Sequence, residues 1–321
     1  MDELRWTADA QLAEQLDRPI LVVAFRGLFD AAGSATSAVE WLVERLDSAE
    51  VGDIDPETFF DFTQERPIVE FDGSGARQVR WPSNRVLTAR TPDGQSDLVL
   101  VTGVEPHLRW RTFAEALRTA ATRTGSQLVV TLGSMSGMSP HTRPPAVTAS
   151  SASRDLADRH GLDRPSYQGP TGVVGVLTDT LDRAGIPVIS LRVSVPYYLP
   201  DSPNPKATRS LLRRLELLSG VDTAFADLDG PAGEWQARVD EAVAGDAEVT
   251  AHVRRLESQV DRSVDLMPRG DDVAAELEAF LRDQDQRRPP WPLPPTGAEA
   301  PNEGPADPGA EPNKEAEPNK E

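Results

Sequence analysis

Four short apolar runs punctuate the chain: residues 19–25 (PILVVAF), 97–104 (DLVLVTGV), 127–132 (QLVVTL) and 187–195 (PVISLRVSV). Each is bounded by turn residues and lacks the polar alternation of a half-exposed strand, so each reads as a strand covered on both faces. Between them apolar residues recur three and four positions apart. Ala38, Val39, Leu42, Val43 and Leu46 mark a helix over residues 34–46, and further helices read over 110–123 and 173–184, the last stopped by Gly185. Strands alternating with helices predict a largely parallel sheet joined by right-handed crossovers.

Two stretches depart from that rhythm. Residues 68–71 and 78–81 flank Asp72-Gly73-Ser74-Gly75, and residues 85–91 follow, which predicts a hairpin extended into a small antiparallel meander. From Lys206 onward the pattern is helical, over 207–218, 234–244, 247–260 and 272–283, and Leu211, Leu212, Leu215 and Leu218 form one stripe; the helices read as a subdomain or a partner-binding arm, and the simplest burial of the stripe is against the sheet. After Arg288 the chain turns Pro-rich (PPWPLPP) and then acidic, with EPNKE occurring twice, a composition too poor in apolar surface to offset its ordering entropy. The expected organisation is an α/β core over 1–205 carrying the hairpin or meander near 66–91, a helical extension over 206–288, and a disordered tail over 289–321.

Composition narrows the chemistry. The 321 residues carry a net charge of −19, of which the tail supplies seven acidic residues against two lysines, so clustered basic residues for a nucleic-acid backbone are not expected. There is no cysteine, which excludes disulfides, thiolate nucleophiles and sulfur-ligated metal sites. Residues 1–9 contain no apolar signal region and the longest apolar run, 20–25, is far too short to span a bilayer, so a cytoplasmic, soluble protein with no membrane partner is expected. Lys206 is the only lysine outside the tail.

In an open α/β sheet, ligands sit beyond the carboxyl ends of the parallel strands. The first run is followed by Arg26, Gly27 and Asp30, and the second by Glu105, His107, Arg109 and Arg111. A long segment over 133–147 (GSMSGMSPHTRPPAV) with His141, Thr142 and Arg143 follows the third run, and Tyr197 and Tyr198 follow the fourth. If this were an active site, His141, Glu105 and Asp30 would be the proton-moving candidates, with Arg26, His107, Arg109, Thr142, Arg143 and Tyr197 as ligand-binding candidates. If it is structural, His141 and Arg143 tie the loop to neighbouring groups. His160 and His252 lie in charged helical stretches and read as solvated. GxGxxG, GxxxxGK[ST] and HExxH are absent, and GSMSG places Met135 where a nucleophile elbow needs serine, so no cofactor or metal is expected.

Five segments carry a family resemblance: PILVVAFRGLFDAAGSA (19–35), DFTQERPIVEF (61–71), LVLVTGVEPHLRWRTF (98–113), VVTLGSMSGMSPHTRPPAV (129–147) and VPYYLPDSPNPKA (195–207). In this order they resemble the actinobacterial branch of the proteasome assembly chaperone 2 family. The resemblance implies a three-layer α/β/α fold with a mostly parallel mixed sheet, similar to the phosphorylase/hydrolase-like fold, and a non-catalytic, homo-oligomeric interaction protein with proteasome subunits as partners. Docking members of the family often end in a hydrophobic residue, a tyrosine and one further residue; this chain ends Pro318-Asn319-Lys320-Glu321, so docking by that mode is not expected. The alternative is an enzyme or small-ligand binder that uses Arg143, His141 and Glu105 in a strand-end pocket.

Overall fold

The computed structural model describes residues 3–92 and 96–265. The helix expected over 272–283 and the tail lie outside the described residues.

The four apolar runs form the centre of an eight-stranded sheet. They are β2 (Ile20–Arg26), β7 (Leu98–Val104), β8 (Leu128–Gly137) and β10 (Val188–Pro196), adjacent and mutually parallel in the order β7-β2-β8-β10. Antiparallel strands complete both edges: β6 (Asn84–Arg90), β3 (Asp47–Ile54) and β1 (Leu4–Trp6) beyond β7, and β9 (Val147–Ser150) beyond β10.

Each central strand sends alternate residues to opposite faces, and each face is covered. In β2, Val22 and Ala24 face α1 (Ser34–Arg45) and α6 (Pro205–Ser219), while Leu21, Val23 and Phe25 face α3 (Trp110–Arg123) and α5 (Val173–Arg183). On the second side Phe113 lies edge-on to Phe25 at 5.4 Å and to Phe59 of the one-turn helix α2 (Pro56–Phe59) at 5.3 Å. Such pairs contribute about 0.5–1.5 kcal/mol beyond the area they bury. These layers match the three-layer expectation. The leucine stripe of α6 is buried against the sheet through Leu211, Leu212 and Leu215. That helix starts where Asn204 accepts from the Ala207 amide at 3.0 Å with Pro205 in the first turn, and stops at left-handed Gly220.

The meander is not formed as expected. Only β4 (Ile68–Phe71) and β5 (Arg77–Arg80) make the hairpin, a separate two-stranded ribbon, while residues 84–90 join the main sheet as β6. The reason lies in the side chains: Val86, Leu87 and Ala89 are buried, whereas every residue of β4 and β5 is exposed. The loop expected from residue 133 also begins later, because residues 133–137 continue β8 and pair with residues 192–196 of β10.

The remaining α-helices among the described residues are α4 (Arg154–His160), α7 (Asp229–Ala244) and α8 (Ala247–Asp265). Among the described residues, no helix is long and apolar enough to cross a membrane.

Candidate functional site

The parallel centre reverses direction of growth between β2 and β8, since β7 is added on one side of β2 and β8 on the other. The crevice at such a reversal is the usual ligand position of an open α/β sheet. Here the segment 27–33 crosses it. Ser134 of β8 donates its amide to Phe29 O at 2.7 Å and its hydroxyl to Ala31 O at 2.7 Å, and Asp30 and Ser134 form a parallel β-bridge. The segment is held at both ends: Leu28 N donates to Glu105 Oε2 at 2.9 Å, and Gly33 leads into α1 with φ of 60°.

Asp30 is the capping group of this arrangement. Its Oδ1 accepts from Ala35 N at 2.8 Å and Thr36 N at 3.1 Å, and its Oδ2 from the Thr36 hydroxyl at 2.5 Å. Burial pushes its carboxyl above the usual range, with the Thr36, Ala35 and Ser134 bonds opposing that rise.

The second strand-end assembly is built on His141-Thr142-Arg143. The Tyr198 hydroxyl accepts from His141 N at 3.0 Å and lies 2.7 Å from Nδ1, while Nε2 lies 2.9 Å from Asp240 Oδ1 on α7. An ionised carboxylate only accepts, so Nε2–H donates to Asp240, while Nδ1 shares its hydrogen bond with the Tyr198 hydroxyl. Both ring nitrogens are committed and the side chain is 1% exposed, so the imidazole has no free position for proton transfer. Thr142 donates to Glu257 of α8 at 2.5 Å, and Arg143 makes a bidentate pair with Asp261 of α8 at 2.8 Å for each bond. Lys206 Nζ completes the network, donating to His141 O at 2.7 Å and to Gln236 Oε1 of α7 at 2.6 Å. Burial lowers the ammonium's pKa. This loop therefore joins the end of the sheet to α6, α7 and α8.

The remaining candidates lie in other surroundings. Arg26 pairs with Glu65. His107 accepts from Asp61 N through Nδ1 at 3.4 Å and meets the Phe60 ring edge-on. Arg109, with φ of 53°, precedes α3 and is exposed. Tyr197 bonds His252 Nε2 at 2.7 Å, so His252 is engaged rather than simply solvated. Among the described residues, no hydrogen bond or ion pair links Glu105 with His141 or Arg143, and no group of three or more His, Asp or Glu side chains is disposed to hold a metal. Sequence reasoning did not find Asp240, Glu257, Asp261 and Gln236; Lys206, alone in the body of the chain, was the only available signal.

A Lys206→Met variant keeps the aliphatic stem but leaves His141 O and Gln236 without their donor. Loss of about 1–3 kcal/mol is expected in urea unfolding, and a value indistinguishable from zero would show that water replaces the ammonium.

The PAC2 family model matches residues 24–243. The chain belongs to the PAC2 family. Three of the solved structures similar to this PAC2-family chain are as follows. A PAC2 family protein from Streptomyces avermitilis is 40% identical, with 73% of this chain and 99% of that chain covered and a TM-score of 0.69. A proteasome-assembly chaperone homologue from Mycobacterium tuberculosis is 36% identical over 73% of this chain and 99% of its own, with a TM-score of 0.67. A Mycobacterium tuberculosis protein of unknown function is 31% identical over 77% of this chain and 84% of its own, with a TM-score of 0.69. No curated protein matches the sequence. The PAC2 match contains Asp240, the partner of His141, but ends before α8, which supplies both carboxylates that hold Arg143.

Proposed function

We propose that this chain is a non-catalytic, homo-oligomeric interaction protein with a chaperone-like role towards proteasome subunits, acting in the cytoplasm. The observation that carries the non-catalytic part is the filled switch-point crevice: the segment 27–33 occupies the place where an open α/β sheet would take a ligand. The commitment of both His141 nitrogens supports the same reading. The chaperone-like part rests on membership of the PAC2 family and on likeness to a proteasome-assembly chaperone homologue. The alternative of a pocket built from Arg143, His141 and Glu105 finds no support in their bonding, because each is held by a different set of partners.

The test is direct mixing of the purified full chain with recombinant proteasome α-subunits from its own source, followed by native mass spectrometry. A stoichiometric complex with free α-subunits or their assembly intermediates is the expected result. Absence of any such complex, with both components folded, would remove the proteasome from the proposal.

A further inference from the structure

Lys206 is the only lysine outside the tail, and three features of its setting disfavour the ammonium form. It stands in the first turn of α6, the 15-residue helix that begins at Pro205, where the positive end of the helix dipole repels a cation. Its side chain is part-buried, and burial is the largest influence lowering its pKa, with Arg143 adding to the effect and Asp240 opposing it. Both groups that accept from it are neutral, His141 O at 2.7 Å and Gln236 Oε1 at 2.6 Å, and among the described residues no carboxylate forms an ion pair with it. Loss of one proton leaves two N–H bonds for those two acceptors and one lone pair without a partner. A lysine so placed can act as a nucleophile.

The lysine also faces a space of its own. A cleft of about 200 Å³ is lined by Lys206, Arg209, Asp229 and Gln236, with Pro144 and Pro145 as its apolar wall. Arg209 binds Asp229 through Nε and lies over the Phe225 ring at 5.2 Å, and among the described residues no hydrogen bond engages its Nη1 or Nη2. The cleft thus combines an amine with a guanidinium whose outer N–H groups are available to an anion.

We propose that Lys206 is an acylation site whose acyl donor is a small acyl phosphate. The Nζ lone pair attacks the carbonyl carbon, the C–N bond forms as the C–O bond to phosphate breaks, and the phosphate leaves with the bonding pair and takes the surplus proton from nitrogen. Arg209 supplies N–H groups for the phosphoryl oxygens. The size of the cleft favours acetyl phosphate over a coenzyme A thioester. The product amide is uncharged, so burial that penalises the ammonium does not penalise it in the same way. It keeps a single N–H, and either His141 O or Gln236 Oε1 loses its donor, which loosens the hold of the loop on α7. This chemistry is independent of the chaperone-like role.

The test is peptide mass spectrometry of the full chain incubated with acetyl phosphate at about pH 8, with Lys314 and Lys320 as references in the same tube. Acetylation of Lys206 is expected to be about threefold or more faster than that of either tail lysine, the tenfold gain in neutral amine per pKa unit being offset in part by weaker nucleophilicity. In concentrated urea the three rates are expected to converge. Gln236→Glu puts a carboxylate at one acceptor position and holds Lys206 as the ammonium; it is expected to slow Lys206 about tenfold and leave the tail rates unchanged, with circular dichroism confirming the fold. Acetylation of Lys206 no faster than of the tail lysines in the folded wild type, a preference for Lys206 that survives in urea, or a folded Gln236→Glu protein with the wild-type rate overturns the inference. A greater preference for Lys206 with acetyl coenzyme A than with acetyl phosphate overturns the choice of donor.

Discussion

Gly103→Ala is expected to destabilise the fold by about 3 kcal/mol, the upper end of the usual cost of overpacking. A methyl group on Gly103 would lie 2.1 Å from Ser83 O, 2.3 Å from Asn84 Oδ1 and 2.7 Å from Asn84 Cα. Two of those atoms belong to the backbone. Relief by strand movement is blocked, because Gly103 in β7 pairs with Asn84 of β6 on one side and with Phe25 of β2 on the other. Urea unfolding followed by circular dichroism gives the loss directly. Gly233→Ala is the control: this glycine lies in α7 with nothing within 4 Å of an added methyl, so a gain of about 0.5–1 kcal/mol is expected there from helix propensity. A Gly103→Ala protein within about 1 kcal/mol of wild type would mean that β6 and β7 can separate locally at little cost.

Asp30→Ala is expected to cost about 2–4 kcal/mol, whereas Asp30→Asn costs about 1 kcal/mol or less at neutral pH. Alanine removes the acceptor for Ala35 N, Thr36 N and the Thr36 hydroxyl together, at a residue only 7% exposed. Asparagine keeps Oδ1 for both amides. Its NH2 donates to the Thr36 hydroxyl, which then uses its own proton for Gly33 O, already 3.3 Å away.

The sign of the pH dependence follows from burial. The folded-state pKa of Asp30 is raised, so the folded protein favours the protonated carboxyl. This group's contribution is fully present below the unfolded pKa and is lost as pH rises through the folded pKa. Asparagine does not titrate. Stability of Asp30→Asn relative to wild type should therefore improve between pH 3 and pH 7, which is about the window above the ordinary Asp value. A relative stability that falls over that window would show that the hydrogen bonds outweigh desolvation.

The central strands were legible because burial on both faces demands continuous apolarity: PILVVAF and its three counterparts are short, unbroken apolar runs bounded by turn residues. Helix α3 matched its expected bounds because its apolar spacing is regular and Arg109 and Thr124 flank it. Strand β3 escaped notice. DSAEVGDI buries only Val51, Gly52 and Ile54 and is broken by a bulge between Glu50 and Gly52, so it has neither alternation nor an apolar run. The continuation of β8 through GSMSG was equally hidden, because two glycines and two serines carry no strand propensity and are held there by pairing with β10.

Candidate residues divide in the same way. Position after a strand was enough to single out Asp30, Glu105 and His141, since the carboxyl ends of parallel strands meet at one edge whatever the side chains. What those residues do there was decided elsewhere in the chain. Asp240 lies 99 positions from His141 and Asp261 lies 118 from Arg143, and no local pattern encodes such pairings.

The amino-acid sequence by itself determined the layered α/β plan and the strand-end placement of the polar groups, because periodicity and burial act over a few neighbouring residues. Only the tertiary structure decided that the segment 27–33 fills the switch-point crevice, that the His141 loop fastens the C-terminal helices, and that Lys206 is held part-buried against that loop. Those features depend on which distant surfaces the fold brings together, and that is set by how the layers pack.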